Sequence, residues 1–156
     1  MSQNHEISIR AQTEMKKGEE ITIQYVSFMY GNQKRKKNIR NTWYFDCQCI
    51  RCIDDTELNT FISAIKCFMC QNGFCTPENS SDLDSDWICL ECKQIQSNKE
   101  AKSVLDFCFE KLFEYNNEPD VMKYETLLNI LLEKLHPNHY ISKSVIETHT
   151  FAIFDY

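Results

Sequence analysis

Hydrophobic and polar residues alternate near the N-terminus of the chain and change to a helical period towards its C-terminus. Residues 5–11 and residues 20–25 alternate, the second run with β-branched side chains, and a Lys-Lys-Gly turn separates them. This period of two predicts two half-buried strands joined by a turn. Residues 33–44 are rich in Lys and Arg but place Ile39 and Trp43 four positions apart. That spacing predicts a short amphipathic helix with a basic face.

The last third of the chain has apolar residues at helical spacing in three segments. Ser97 followed by Glu100 is a capping-box signal for the start of the first helix. Breaks that contain Asn and Pro separate it from two further stripes, over residues 121–135 and 141–154. We expect three helices packed antiparallel with short connections. Cys108 lies in the first stripe and is expected to be a core residue.

The connecting segments carry weaker signals. Residues 56–66 could form a helix, whereas residues 73–86 are rich in Asn, Ser, Asp and Pro and predict a loop. The segment 67–92 is therefore expected to have little regular structure, so that a bound metal would supply its stability. His136 and His139 flank a Pro-Asn pair, which favours a role in a turn or at a helix end over a role as metal ligands.

Nine cysteines make metal binding the leading chemistry of the chain. Cys67 and Cys70 are separated by two residues, as are Cys89 and Cys92. Two C-x2-C turns can supply the four thiolates of a tetrahedral zinc site. Because no secretory signal precedes them, zinc is favoured over disulfides. Cys75 is interpreted as a spare cysteine, with a role as a substitute ligand as the less favoured alternative.

A shorter cysteine cluster comes earlier, formed by Cys47, Cys49 and Cys52. It supplies only three sulfurs. An open fourth position is compatible with a catalytic zinc, or with a fourth ligand that is absent or distant in sequence. The spacing alone leaves these alternatives open.

Composition and charge narrow the possible partners. The chain has 156 residues, of which 42% are hydrophobic and 26% charged, which is compatible with a packed core. Residues 1–52 carry nine basic and five acidic residues, and residues 53–156 carry eight and eighteen. The acidic C-terminal part argues against general nucleic-acid binding and suits a basic partner such as a lysine-rich segment. No apolar run is long enough to span a bilayer, so we expect a soluble, intracellular protein that has no membrane contact.

Two segments of the N-terminal third match one known pattern in combination. The first is Arg10-Ala11 followed by Gly18-Glu19-Glu20-Ile21-Thr22-Ile23-Gln24-Tyr25, and the second is Phe45-Asp46-Cys47-Gln48-Cys49-Ile50-Arg51-Cys52. Together they resemble the last part of a SET domain and the post-SET segment that follows it. They are most similar to the SET-and-MYND (SMYD) branch of protein lysine methyltransferases. The helical tail around residues 135–140 is also similar to that branch, and the second cysteine cluster resembles its arthropod-type members.

This resemblance implies a function and roles for individual residues. SET enzymes transfer a methyl group from S-adenosylmethionine to a lysine amine, here of a histone or another protein. Tyr25 matches the catalytic tyrosine that lines the lysine channel, and Phe45 matches the aromatic residue that packs beside the cofactor. The post-SET zinc would take three cysteines from the first cluster and a fourth from an upstream N-H-x-C-x-P-N motif. Action in the nucleus or cytoplasm, with effects on transcription, and protein partners bound by the helical tail are further implications.

The chain departs from the family pattern in one important respect. The upstream motif and the family's cofactor-binding motifs are not found, so we expect the chain to begin inside the SET domain. It would then be a fragment of a methyltransferase or a shortened protein, and inactive in isolation. The alternative function is a non-catalytic zinc-binding module for protein interaction or transcriptional regulation.

The expected fold class is α+β. Four segments are predicted in order along the chain: the C-terminal part of a SET domain (1–44), a post-SET zinc-binding segment (45–55), a four-cysteine zinc module (56–96) and a helical C-terminal domain (97–156).

Overall fold

The structure, a computed structural model, describes residues 8, 10–11, 13–70, 72–117 and 120–154. These residues form five helices and one small antiparallel sheet, which confirms the predicted α+β class. In chain order the elements are α1 (Asn32–Trp43), α2 (Ile50–Ile53), β1 (Ile65–Lys66), β2 (Phe74–Pro77), β3 (Trp87–Cys89), β4 (Ile95–Gln96), α3 (Asn98–Asn117), α4 (Val121–Leu132) and α5 (Tyr140–Phe154).

The segment 67–92, for which little regular structure was expected, contains the two central strands of the sheet, β2 and β3, so that expectation is wrong. The four strands of the sheet follow one another in the order β1-β2-β3-β4. Ile65 pairs with Cys75, and Cys75 pairs in turn with Cys89 on the next strand. The segment 73–86, predicted to be a loop, thus contains β2. Short strands of this kind owe their stability to pairing partners distant in sequence, which local composition does not reveal.

The helix suggested for residues 56–66 is also wrong. Glu57, Leu58, Asn59 and Phe61 all have positive φ angles, between 53° and 62°, which no right-handed helix allows. The Asp54 carboxylate accepts hydrogen bonds from the backbone N–H groups of residues 56 and 58 and holds the chain in this turn. Side-chain capping therefore overrides the helical pattern here.

The C-terminal helices agree with the sequence pattern except at one end. The capping box at the start of α3 is confirmed: the Ser97 N–H donates to a carboxylate oxygen of Glu100 over 2.9 Å, and the Glu100 N–H donates to the Ser97 hydroxyl over 3.3 Å. Helix α4 ends at Leu132, before the predicted residue 135. The chain leaves the helix there because the Lys66 N–H donates to the Lys134 carbonyl over 2.7 Å, which adds the segment after α4 to the edge of the sheet.

The two histidines of the following turn have the predicted structural role. The backbone N–H of Asn138 donates to Nδ1 of His136, and the backbone N–H of Ile141 donates to Nδ1 of His139. His139 is fully buried, and this burial lowers its pKa to about 3, so it is neutral at physiological pH. Both rings organise the start of α5.

The sheet and the helices share one hydrophobic core. Ile65, Trp87 and Cys89 of the sheet pack in the same cluster as Ala101 and Cys108 of α3. Leucine and valine side chains of the last two helices and of the segment between them complete this cluster: Leu127, Leu131, Leu135 and Val145. Cys108 is fully buried, as expected for a core residue.

The N-terminal part has a different character. The predicted strand over residues 20–25 is wrong, since these residues belong to no strand in the described part of the chain. Ile21 is 73% exposed and Ile23 is 64% exposed, so their alternating pattern has no surface to be buried against among the described residues. Most of the other predicted strand, residues 5–11, lies outside the described residues.

Candidate functional site

The second cysteine cluster forms a compact set of four sulfurs. The Sγ atoms of Cys67, Cys70, Cys89 and Cys92 all lie within 4.8 Å of one another. The Sγ of Cys67 is 3.7 Å from that of Cys92, and the Sγ of Cys70 is 3.7 Å from that of Cys89. A zinc ion with four Zn–S bonds of about 2.3 Å in a tetrahedron requires sulfurs about 3.8 Å apart. The residues therefore fit a zinc ion.

Two tight turns place these sulfurs. Cys67 and Cys70 lie between β1 and β2, while Cys89 ends β3 and Cys92 lies in the turn before β4. Burial opposes ionisation of Cys89, but hydrogen bonds from the backbone N–H groups of Cys92 and Glu91 hold its pKa at about 6. Backbone donors that stabilise a thiolate also prepare the site for a cation.

Gly73 provides a second, steric test of this site. A Cβ at this position would lie 2.4 Å from Cys89 Sγ and 2.6 Å from Cys70 Sγ. Only glycine lets the backbone pass this close to the sulfurs. The backbone thus closes the cluster on one side.

Cys75 lies beside this cluster but outside the set of four. It is fully buried in β2, opposite Cys89 in the strand register, and burial strongly raises the pKa of its thiol. Its proximity to the cluster follows from strand pairing, which the sequence did not predict.

The first cluster brings together the Sγ atoms of Cys47, Cys49 and Cys52, again within 4.8 Å of one another. Cys49 is the N-cap of α2, and Cys52 lies buried on that short helix. Among the described residues, no fourth histidine, cysteine or carboxylate ligand joins this group. The three sulfurs fit one side of a zinc coordination sphere and leave one position open.

Tyr25 and Phe45, which are twenty positions apart, meet beside the first cluster. Their ring centroids are 5.0 Å apart in an edge-to-face arrangement, and the Trp43 ring also packs edge-to-face with Tyr25, at 5.2 Å. Both rings remain open to solvent, Tyr25 by 41% and Phe45 by 37%. We call these three rings the aromatic cluster.

A buried ion pair, which the sequence did not indicate, joins this region to the rest of the molecule. Arg35 is 5% exposed and donates to the Glu57 carboxylate over 2.5 Å; the Ser63 hydroxyl donates to the other oxygen of that carboxylate. A second guanidinium nitrogen of Arg35 lies 3.6 Å from the sulfur of Cys52. Lys36, 2% exposed, donates to the Ser80 carbonyl over 2.5 Å. The basic face predicted for α1 is therefore partly buried, since these cations have internal partners.

Sequence comparison gives this geometry a family context. No family model matches the chain. The chain is 30% identical over 132 residues to the SET domain-containing protein SmydA-8, isoform A, of Drosophila melanogaster, a match that covers 83% of the chain and 28% of the relative. It is also 28% identical over 102 residues to the histone-lysine N-methyltransferase ASHR1 of Arabidopsis thaliana, covering 62% of the chain and 21% of the relative.

The chain is a homologue of SMYD-type SET-domain proteins. A third match, to the mouse histone-lysine N-methyltransferase Smyd1, is 31% identical over 58 residues and covers 37% of the chain and 12% of that protein. The SMYD-type resemblance predicted from the two N-terminal motifs is thereby confirmed. This SMYD-type homologue spans 28% of the length of its Drosophila relative. No helix in the described part of the chain is long and apolar enough to cross a membrane.

Proposed function

We propose that this chain is part of an S-adenosylmethionine-dependent protein-lysine methyltransferase, in which it contributes one wall of the lysine channel and the post-SET zinc site. The contact between Tyr25 and Phe45 carries the proposal. It supports the proposal because the rings of the two residues assigned to the lysine and cofactor sites meet, and because Phe45 comes two positions before Cys47. The relatives named as histone-lysine methyltransferases support a lysine side chain of a histone, or of another protein, as the substrate.

The described residues offer S-adenosylmethionine one aromatic wall. The Phe45 ring, partly exposed and braced by Tyr25, fits a flat or apolar part of the cofactor. When bound, the cofactor supplies the methyl group that is transferred. The Tyr25 hydroxyl would accept a hydrogen bond from the lysine nitrogen and hold this nitrogen in line with that methyl group. The hydroxyl would thus accelerate the transfer by orienting the lysine, not by changing its chemical reactivity.

Zinc is the second proposed cofactor. Cys67, Cys70, Cys89 and Cys92 would hold one ion as a structural site. Cys47, Cys49 and Cys52 would hold another together with a fourth ligand outside the described group. Two roughly tetrahedral sites would fix the segment after Phe45 and the sheet that follows it.

Methyl transfer to core histones by the zinc-loaded methyltransferase of which the chain is proposed to be part, combined with calorimetry of S-adenosylmethionine binding, tests the assigned roles. Tyr25→Phe should lower the rate of methyl transfer at least about tenfold while cofactor binding is kept, because only the orienting hydroxyl is lost. Phe45→Ala should weaken cofactor binding. Tyr44→Phe is the matched control, since Tyr44 is adjacent in sequence and 86% exposed. A Tyr25→Phe protein with the full rate would contradict the catalytic role.

One observation favours the second candidate, a non-catalytic zinc-binding module that binds proteins and regulates transcription. The aromatic cluster is open to solvent, and the segment that carries Tyr25 is not paired in a sheet among the described residues. An open aromatic surface is a typical protein-binding feature. Two zinc ions per chain together with cofactor binding would support the enzyme. One zinc ion and no cofactor binding would support the interaction module.

The domain boundaries predicted from the sequence remain part of this proposal. The SET-like part over residues 1–44 would pass directly into the post-SET segment over 45–55. The zinc module over 56–96 and the helical part over 97–156 would support it, the latter as a surface for protein partners. For a histone substrate, the site of action would be the nucleus or the cytoplasm.

A further inference from the structure

Three aromatic rings lie around the ammonium of Lys34, which is in the first turn of α1. The Nζ atom lies 4.0 Å from the centroid of the Tyr30 ring, 5.5 Å from that of Phe109 and 5.7 Å from that of Tyr140. All three distances fall within the range of about 6 Å in which a ring attracts a cation. The rings come from the segment before α1, from α3 and from α5, so folding of the whole chain assembles them.

Two of the rings, those of Tyr140 and Phe109, are held in place independently of Lys34. The Tyr140 ring stacks on His139 with centroids 4.5 Å apart and packs against Phe109 at 6.0 Å. A Cβ at Gly31 would lie 2.8 Å from the Tyr140 ring, so the backbone before α1 lies directly on that ring. This preorganisation is what a binding site requires, because a ligand then does not have to order the rings itself.

Lys34 makes no hydrogen bond or ion pair with any side chain in the described part of the chain. Burial lowers the pKa of its ammonium. By contrast, Lys36 donates to a carbonyl and Lys102 is paired with Asp84. An ammonium close to several aromatic faces is in the environment that favours methylated ammonium groups, which have fewer N–H donors to satisfy.

We propose that Tyr30, Phe109 and Tyr140 form an aromatic cage that binds a methylated lysine side chain, and that Lys34 fills this cage in the free protein. The presence of Lys34 itself shows that the cage fits the end of a lysine side chain. Lys34 also lines an open cavity of about 230 Å³, together with Tyr30, Phe109, Tyr140 and Glu147. Glu147 also lines this cavity, and its negative charge favours a cationic ligand.

The ligand must displace Lys34, and the experiment uses this competition. The probes are N-acetyl-trimethyl-lysine amide and its unmethylated counterpart, titrated into the zinc-loaded chain and followed by NMR of the aromatic side chains. Lys34→Ala should bind the trimethylated probe at least about tenfold more tightly than the wild-type chain does, and should prefer it over the unmethylated probe. Lys37→Ala is the matched control: Lys37 is an exposed lysine of the same helix, and the ring contacts of the cage are made by Lys34, so its loss should leave binding unchanged.

The double variant Lys34→Ala/Phe109→Ala removes one wall and should lose the gain in affinity. Thermal unfolding and zinc content show whether each variant is folded, and Phe109→Leu replaces Phe109→Ala if that variant is not. If Lys34→Ala binds both probes equally, or neither of them, the contact of Lys34 with the rings serves stability alone and the proposal is overturned. None of these variants touches the aromatic cluster or either cysteine cluster, so the outcome does not depend on the proposed methyltransferase activity.

Discussion

Gly73 is the residue on which the geometry of the second cysteine cluster most directly depends. Gly73→Ala would place a methyl group 2.4 Å from Cys89 Sγ and 2.6 Å from Cys70 Sγ. Because backbone and sulfurs must then move apart, we expect the variant to lose the zinc ion of this site. Zinc content, measured by atomic emission, should fall by one ion per chain, and the melting temperature should fall with it.

Gly18→Ala is the control for this prediction. Gly18 has a positive φ of 97°, but a Cβ there would have no atom within 4 Å. The substitution therefore strains an exposed turn without approaching either cysteine cluster. Zinc content should be unchanged in this variant. A Gly73→Ala protein with the zinc content of the wild type would show that the cluster tolerates the methyl group.

Substitution of Cys75 tests which cysteines are zinc ligands. It lies opposite Cys89 in the sheet and is equally buried, yet the four sulfurs that meet within 4.8 Å do not include it. Cys75→Ala should keep the zinc ion and lose only the packing of a small buried side chain, whereas Cys89→Ala should lose the ion. Titration with a chromophoric chelator measures both affinities. Equal loss of zinc in the two variants would make Cys75 a ligand.

Among the secondary-structure elements, the helices could be predicted because the sequence features that indicate them, capping residues and apolar spacing, lie within or next to each helix. The capping box of Ser97 and Glu100 fixes the start of α3, and the spacing of Ile39 and Trp43 indicates α1. Helix α4 ends earlier than its apolar stripe because the following residues bond to β1 instead. The spacing of apolar residues at a period of 3.6 therefore identifies a helix. It does not predict the residue at which hydrogen bonds to another part of the fold end that helix.

The sheet and the turn before it could not be predicted in the same way. Strands of two to four residues are too short to show a period of two in their sequence, and their pairing joins Ile65 to Cys75 and Cys75 to Cys89.

The two cysteine clusters could be predicted from the sequence, because cysteines separated by one or two residues are a local pattern. The pairs Arg35–Glu57 and Tyr25–Phe45 became visible only in three dimensions.

The ion pair between Arg35 and Glu57 connects α1 to the turn before β1. Glu57→Gln keeps the shape of the side chain but leaves the buried guanidinium without its counter-charge. Breaking a buried pair on one side costs about 3–5 kcal/mol, so the free energy of unfolding should fall by roughly that amount. Urea denaturation followed by circular dichroism measures it.

Glu114→Gln is the matched comparison, because Glu114 pairs with Lys111 on an exposed face of α3. Solvent screens that pair, so its loss should hardly change stability. Equal effects of the two substitutions would mean that the Arg35–Glu57 pair contributes no more than a surface pair. The buried position of both side chains argues against that outcome.

At the scale of the whole molecule, the sheet that carries the second cysteine cluster and the helices α3–α5 share one hydrophobic core. Trp87 and Cys89 of β3 share a core cluster with Ala101 and Cys108 of α3, and α5 closes the same cluster with Val145. A perturbation at the second cysteine cluster should therefore reach the helices directly. In this respect the molecule differs from a protein in which a small metal-binding domain and a helical bundle fold independently of each other.

Removal of zinc tests this coupling. Structural zinc contributes on the order of 10 kcal/mol to small metal-dependent folds, so chelation should destabilise β1–β4 strongly. Because the core is shared, the helices should melt at the same lowered temperature as the sheet. The NMR signal of the Trp87 indole N–H reports the sheet, and circular dichroism at 222 nm reports the helices. The expected result is that both transitions occur at the same lowered temperature. Readdition of zinc should restore the original melting temperature, and addition of magnesium should not. A helical transition unchanged by chelation would mean that the helices fold independently of the metal site, and that the packing of Ala101 and Cys108 against the sheet contributes little to their stability.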